Sequence, residues 1–185
     1  SKVAAVLKSN AYGLGLKKIC KTLIKVGCDS FFVNTFEEAL YLRGLCPKSD
    51  IYLLNGLVNI NEDEIIEIFK YDISPVLNSV DELKKLSNFK FPIHKRVAVT
   101  LHFDTGINRL GIKENQILTV KEICRKNMIK VKCIMSHLIA SDEKTILNLK
   151  QKLKFEKITK NFPKVIFSLS NSNAINNHKS MNYGM

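Results

Sequence analysis

The chain has 185 residues, 45% of them hydrophobic and 25% charged, a composition that sets it apart from disordered and fibrous proteins. Its formal net charge is +12, which permits contact with nucleic acid or acidic membranes. The lysines are spread along helical faces (Lys17, Lys18, Lys21, Lys25; Lys150, Lys152, Lys154, Lys157, Lys160) without arginine–aromatic interleaving, so solvated helix faces account for them and neither partner is expected.

The chain opens on an apolar run, Val3-Ala4-Ala5-Val6-Leu7, that ends in Lys8. A run with no polar alternation predicts a strand over Lys2–Leu7 buried on both faces, as in a parallel sheet. A helix is expected from about Leu14 to Val26. Phe31-Phe32-Val33 reads as a short buried strand, followed by a helix over Phe36–Arg43. Ile51–Leu54 is the next strand, then a helix over Glu62–Phe69. Ile73–Val76 is a strand, and Asn78-Ser79 can cap a helix over Val80–Leu86. Arg96–Phe103 is a strand and Glu114–Lys126 a helix. Ile129–Met135 is a strand and Glu143–Asn161 a long helix. Val165–Phe167 is a strand, and Ser172 opens a last short helix.

Strand alternating with helix implies a parallel sheet with right-handed crossovers. Seven such units of regular length suit an α/β fold, a (β/α)8 TIM barrel lacking its last strand, better than an open sheet. No linker or low-complexity run divides the chain, so residues 1–185 are expected to form one barrel domain. The chain is expected to be a fragment, truncated at both ends. No stretch is long and apolar enough to span a bilayer, and no secretory leader is visible. The five cysteines (Cys20, Cys28, Cys46, Cys124, Cys133) are odd in number, with no CxxC pair and no metal-like spacing to histidine. They predict reduced thiols, no metal site and a reducing compartment, the cytoplasm.

In such folds the chemistry sits where strands end and loops begin. Four polar clusters lie there: Lys8-Ser9-Asn10-Ala11-Tyr12-Gly13-Leu14-Gly15; His102-Phe103-Asp104-Thr105-Gly106-Ile107-Asn108-Arg109-Leu110-Gly111; Ser136-His137-Leu138-Ile139-Ala140-Ser141-Asp142-Glu143; and Ser168-Leu169-Ser170-Asn171-Ser172-Asn173-Ala174. Each has a purely structural reading. Lys8 could be a surface lysine, Asp104 a turn cap, His137 a core histidine, and Asp142 a helix N-cap. Together they supply an amine nucleophile, a cation for an oxyanion or carboxylate, an imidazole, and a hydroxyl-bearing helix start for a phosphate.

These segments resemble the N-terminal barrel domain of the alanine racemase family, which uses pyridoxal 5'-phosphate. AVLKSNAYGLG carries the most specific match, and HFDTGINRLGI, SHLIASDE and SNSNA follow in family order across essentially the whole chain. The resemblance implies racemisation of L- and D-alanine, supplying D-alanine for peptidoglycan. It implies that Lys8 holds the cofactor covalently and serves as one of two proton-transfer bases. It also implies that Tyr12 and Ser172 reach the phosphate. Arg109 is implied near the phenolic oxygen and the substrate carboxylate, His137 near the ring, and Asn171 beside it. The other base, a tyrosine, comes in the family from a C-terminal β-domain of the partner subunit, so a homodimer is implied.

The sequence departs from the family pattern at three places. His102 stands where many members have a lysine, carbamylated in some, that orients the arginine; a histidine cannot form that carbamate. Leu14 replaces a histidine between the glycines. The chain ends about two residues before the arginine that faces the pyridine nitrogen in the family. The alternatives are a broad-specificity amino-acid racemase, a barrel-type decarboxylase using the same cofactor, and a non-catalytic cofactor-binding barrel.

Overall fold

The computed structural model describes residues 2–91 and 97–185. The chain divides into two compact units, Val3–Val76, and Leu77–Met185 together with Lys2. In the first unit β1 (Ala5–Val6), β2 (Ser30–Val33), β3 (Asp50–Leu53) and β4 (Ile73–Leu77) pair in chain order. All the ladders are parallel, with Ala5 opposite Phe31, Phe31 opposite Ile51 and Ile51 opposite Ile73. Parallel neighbours need crossovers. These are α1 (Leu16–Lys25), α2 (Phe36–Leu45) and α3 (Glu62–Lys70). β2 and β4 are buried throughout and β3 from its second residue on, as unbroken apolar strands of a parallel sheet should be. Phe32 and Tyr52 stack across adjacent strands with ring centroids 4.6 Å apart.

β1 corrects the expectation of a strand over Lys2–Leu7 buried on both faces. Only Ala5 and Val6 are strand, and Val6 is 40% exposed. Among the described residues β1 has a ladder on one flank only, with β2, so the other flank lacks a neighbour to cover it.

The second unit carries α4 (Val80–Asn88), β5 (Ala98–His102), α5 (Ile117–Lys126), β6 (Lys130–Met135), α6 (Ile146–Thr159), β7 (Ile166–Ser168) and α7 (Ser172–Asn177). A 3-10 turn over Glu114–Gln116 leads into α5. β5 pairs with β6 and β6 with β7, again parallel, with a register shift between Val99 and Thr100. The expected start of β5 at Arg96 lies outside the described residues. No described helix is long and apolar enough to cross a membrane. Cys20, Cys46, Cys124 and Cys133 are buried free thiols and Cys28 is half-buried.

Most helices start at side-chain caps. Thr35 with Glu38, and Asn61 with Glu64, form capping boxes on α2 and α3, and Ser79 accepts from the Glu82 N–H on α4. The long helix does not begin at Glu143, and Asp142 is not its cap. α6 starts at Ile146, where the Thr145 hydroxyl accepts the Leu147 N–H at 3.3 Å. The reason is local. Asn148 Nδ2 donates to the carbonyls of Ala140 and Glu143 at 2.8 and 2.9 Å, so the Glu143 carbonyl is already engaged by a side chain.

One side chain ties the lower turns of the first unit together. Arg43 donates from Nε to the Tyr71 carbonyl and from Nη2 to that of Asp72, both at 2.8 Å. Its Nη1 faces the carbonyls of Cys46, Pro47 and Ser49 at 3.3, 3.0 and 2.8 Å. The guanidinium thus serves carbonyls of the residues that follow the ends of α2 and α3. Replacing Arg43 by Ala is expected to lower unfolding stability by about 2–4 kcal/mol, and Lys should recover little because it lacks the planar fork. Urea unfolding of the three proteins checks this; a lysine variant as stable as the parent would contradict it.

Candidate functional site

In the first unit, the Leu7 N–H donates to the Phe32 carbonyl at 2.7 Å, extending the strand ladder one residue past β1. Lys8 comes next and is half-buried. The backbone then turns into the left-handed region for four residues, with φ of 53°, 55°, 54° and 55° at Ser9, Asn10, Ala11 and Tyr12. None of them is glycine, so each carries a Cβ into a conformation that L-residues avoid. Gly13 and Gly15 follow at φ of 84° and 94°, where glycine is at ease. The helix expected from Leu14 therefore begins only at Leu16. The turn is held from several sides. The Ala11 N–H donates to the Leu7 carbonyl at 2.9 Å, the Gly13 N–H to Ser9 at 3.0 Å and the Gly15 N–H to Asn10 at 3.1 Å. The Asn10 side chain accepts the first free N–H of α1, from Leu16, at 2.8 Å. The Asn10 N–H in turn donates to Glu38 Oε1 at 3.2 Å. Ala11 is buried beneath the turn and Tyr12 is 62% exposed.

In the second unit the loop after β5 is built around Asp104. Its Oδ1 accepts the N–H groups of Gly106 and Asn108 at 3.0 and 3.1 Å, and its Oδ2 pairs with Lys113. Burial alone would push this carboxyl up; the Lys113 bond and the two N–H donors outweigh burial and bring it below its ordinary value. Gly111 (φ 118°) lies so close that a Cβ there would stand 2.6 Å from the Asp104 nitrogen. The loop so folded leaves Arg109 exposed.

His102, the last residue of β5, is buried. Its Nδ1 lies 2.7 Å from Asn78 Oδ1, which makes Nδ1 the N–H donor of this pair. Nε2 is then a bare acceptor, and among the described residues it is buried with no partner. Burial first, then the positive charges of His137 and Arg109 against the opposing Asp104, bring its pKa from 6.5 down to about 4. His102 is thus neutral at physiological pH.

His137 stands two residues past β6 and is half-buried. Its carbonyl accepts from Gln151 Nε2 at 3.0 Å; the same nitrogen reaches Thr105 Oγ1 at 3.2 Å, and Gln151 Oε1 takes the Ile139 N–H at 3.0 Å. Thr105 and Ser136 share a hydroxyl pair at 2.7 Å. One buried glutamine of α6 therefore locks the loops after β5 and β6 together. Asn171 is the N-cap of α7: its Oδ1 accepts the Ala174 N–H at 3.1 Å and the Ser141 hydroxyl at 2.6 Å. Ser172 is the first residue of α7 and is exposed.

The structure thus brings His102, Arg109, His137, Asn171 and Ser172 to strand ends of the second unit, and Lys8 and Tyr12 to the first strand end of the other. Among the described residues, the side chains of Lys8, Tyr12, Arg109 and Ser172 make no hydrogen bond or ion pair. Asn10, Asp104, Gln151 and Asn171 in the same strand-end regions hold backbone N–H groups, and the last three also bond the Lys113, Thr105 and Ser141 side chains. Sequence reasoning missed Glu38 and Gln151. Glu38 was findable as the fourth residue of a Thr-x-x-Glu capping box; a mid-helix glutamine carries no such signal.

The whole chain, residues 1–185, matches the family model described as alanine racemase, N-terminal domain. The chain is 39% identical over 183 residues to an alanine racemase of Rickettsia akari, covering 95% of this chain and 49% of that protein. It is 38% identical over 181 residues to one of Rickettsia bellii, covering 94% and 42%. A crystal structure of an alanine racemase from Bartonella henselae, with covalently bound pyridoxal phosphate, superposes over 100% of this chain and 54% of its own, with a TM-score of 0.88 and 29% identity. The chain spans about half the length of the curated relatives it matches.

The buried neutral histidine generates a pH prediction. A folded pKa depressed from 6.5 to about 4 means that the unfolded chain takes up a proton first as the pH falls. The contribution of His102 to stability is full above pH 6.5 and drains away down to about pH 4. Unfolding free energies of the parent and of His102→Gln, measured from pH 7.5 to 4, should converge or cross by on the order of 2–3 kcal/mol. Parallel profiles would contradict the assignment.

Proposed function

Because the chain belongs to the alanine racemase N-terminal domain family, we propose that the protein carrying it is a pyridoxal-phosphate-dependent alanine racemase. It interconverts L- and D-alanine in the cytoplasm and supplies D-alanine for peptidoglycan. The fold is the family's (β/α)8 barrel, incomplete, with seven strand–helix units present among the described residues. The observation that carries the reading is the set of unengaged side chains at the strand ends, on a chain that matches the family from its first residue to its last.

The donor set fits the cofactor. Lys8 offers a primary amine to the aldehyde, and its place at the end of the β1 ladder fixes where that amine starts. Tyr12 and Ser172 offer exposed hydroxyls for the phosphate, and Ser172 opens a helix whose first N–H groups point the same way as its dipole. Arg109 offers an exposed guanidinium, with no competing carboxylate among the described residues, for the phenolic oxygen and the substrate carboxylate. His137 and Asn171 would lie beside the ring, Asn171 while capping α7. When bound, pyridoxal phosphate supplies an electron-poor ring that takes up the electron pair left as the α-proton of the amino acid departs. Lys8 removes or returns that proton at one face. The opposite face is served by a tyrosine from the C-terminal β-domain of the partner subunit in a homodimer, so the catalytic unit is larger than this chain.

The test uses the full-length protein. L-alanine should racemise, and lysine, ornithine and serine should turn over far more slowly. Lys8→Ala should lower kcat/KM by at least about 10³-fold, the loss of both covalent attachment and one base. Racemisation retained by Lys8→Ala, or a preference for decarboxylating one of the other amino acids, would refute the reading.

A further inference from the structure

The left-handed turn after Lys8 is reached by a side chain that the family reading does not use. Glu38 lies in the first turn of α2. Its Oε2 accepts the N–H groups of Asn34 and Thr35 at 3.0 and 3.3 Å, the ordinary office of a capping-box glutamate. Its Oε1 does something a cap has no need of: it accepts the Asn10 N–H, 28 residues away, at 3.2 Å. Asn10 is in the middle of the four left-handed residues. A run of such residues is costly and persists only where the surroundings over-determine it.

We propose that Glu38 is a positioning residue for Lys8: its second carboxylate oxygen holds the left-handed turn against the start of α2, and so aims the lysine amine. The proposal rests on the reading of Lys8 as the cofactor lysine. Its geometry lies wholly within the first unit. Leu7 is tied to β2 through the Phe32 carbonyl, and Asn10 to the first turn of α2 through Glu38. Lys8 is thereby spanned by two anchors, one on β2 and one on the helix that follows it. With the second anchor released, the turn can relax toward the right-handed backbone that Ser9, Asn10 and Ala11 prefer, and the amine swings away.

Glu38→Gln separates the two jobs. A glutamine at the third helical position still caps, because its single carbonyl oxygen can serve Asn34 and Thr35. Its NH2 then faces the Asn10 N–H, donor against donor. Ser9→Gly supplies the reciprocal change, since glycine holds the left-handed region at no steric cost and touches nothing in the α2 cap.

The experiment uses the full-length protein freed of cofactor, with two readouts other than activity. One is amide hydrogen exchange over residues 9–13. The other is the rate at which added pyridoxal 5'-phosphate becomes trapped on Lys8 by borohydride, located by peptide mapping. Glu38→Gln should speed exchange at Asn10 and slow trapping at Lys8 by about tenfold, the worth of one charge-assisted hydrogen bond. Ser9→Gly should be silent alone and restore most of the trapping rate in the double variant. Slowed trapping that Ser9→Gly fails to restore would reduce Glu38 to a helix cap and overturn the proposal. So would faster Asn10 exchange with trapping unchanged. A parent protein that traps no cofactor at Lys8 would strike the proposed function itself, and with it the positioning role, whereas the exchange data would still report whether Glu38 holds the turn.

Discussion

Four consecutive L-residues at φ near +55° are the constraint on which the first unit's chemistry depends. At roughly 1–2 kcal/mol each, Ser9 to Tyr12 store an amount comparable with the whole stability of a small domain. No single bond offsets that. The turn survives because a strand ladder precedes it, two permissive glycines follow it, Ala11 is buried under it, and the Asn10 side chain replaces the missing first turn of α1. Strain of this kind concentrates where a side chain must be aimed rather than merely accommodated. Lys8 stands at the boundary between regular ladder and strained turn.

The second unit obtains rigidity differently. Among the described residues of its strand-end loops, positive φ is confined to the loop after β5, at Gly106, Asn108 and Gly111, and the loops' polar groups converge on a few buried side chains. Asp104 gathers Gly106, Asn108 and Lys113, and Gln151 gathers Thr105, His137 and Ile139. Each removes several loop donors or acceptors from the solvent at once, and none of the bonds can be exchanged singly without leaving a buried group unpaired. Loops locked in this way hold their side chains with a precision that loops usually lack.

These two strategies explain what the sequence made legible. Unbroken apolar runs at Phe31–Val33 and Ile51–Leu53 announced buried parallel strands, and Ser79 announced its helix, because hydrophobic burial and capping are local signals. β1 was overread because burial depends on what lies beside a strand, which its own residues do not record. α6 began three residues late because Asn148, a side chain inside the helix, took the Glu143 carbonyl. Its buried stripe runs Asn148, Gln151, Phe155, Ile158, half polar, while Ile146, Leu147, Leu149 and Leu153 stand exposed. A hydrophobic pattern cannot locate such a face. Left-handed turns at Ser, Asn, Ala and Tyr are equally silent, since no residue type there demands them.

The loop after β5 leaves the Arg109 guanidinium without an ion pair among the described residues. Asp104, the nearest carboxylate in its loop, is committed to Lys113 and two backbone donors. His102 is held neutral first by burial, with electrostatic repulsion from His137 and Arg109 adding to it. A lysine in its place could carry a carbamate, and so a negative charge, whereas the imidazole presents a bare Nε2 that can accept a hydrogen bond without adding charge. Arg109 is therefore exposed with no ion pair to a carboxylate among the described residues, so an anion meeting it would displace no described protein partner first.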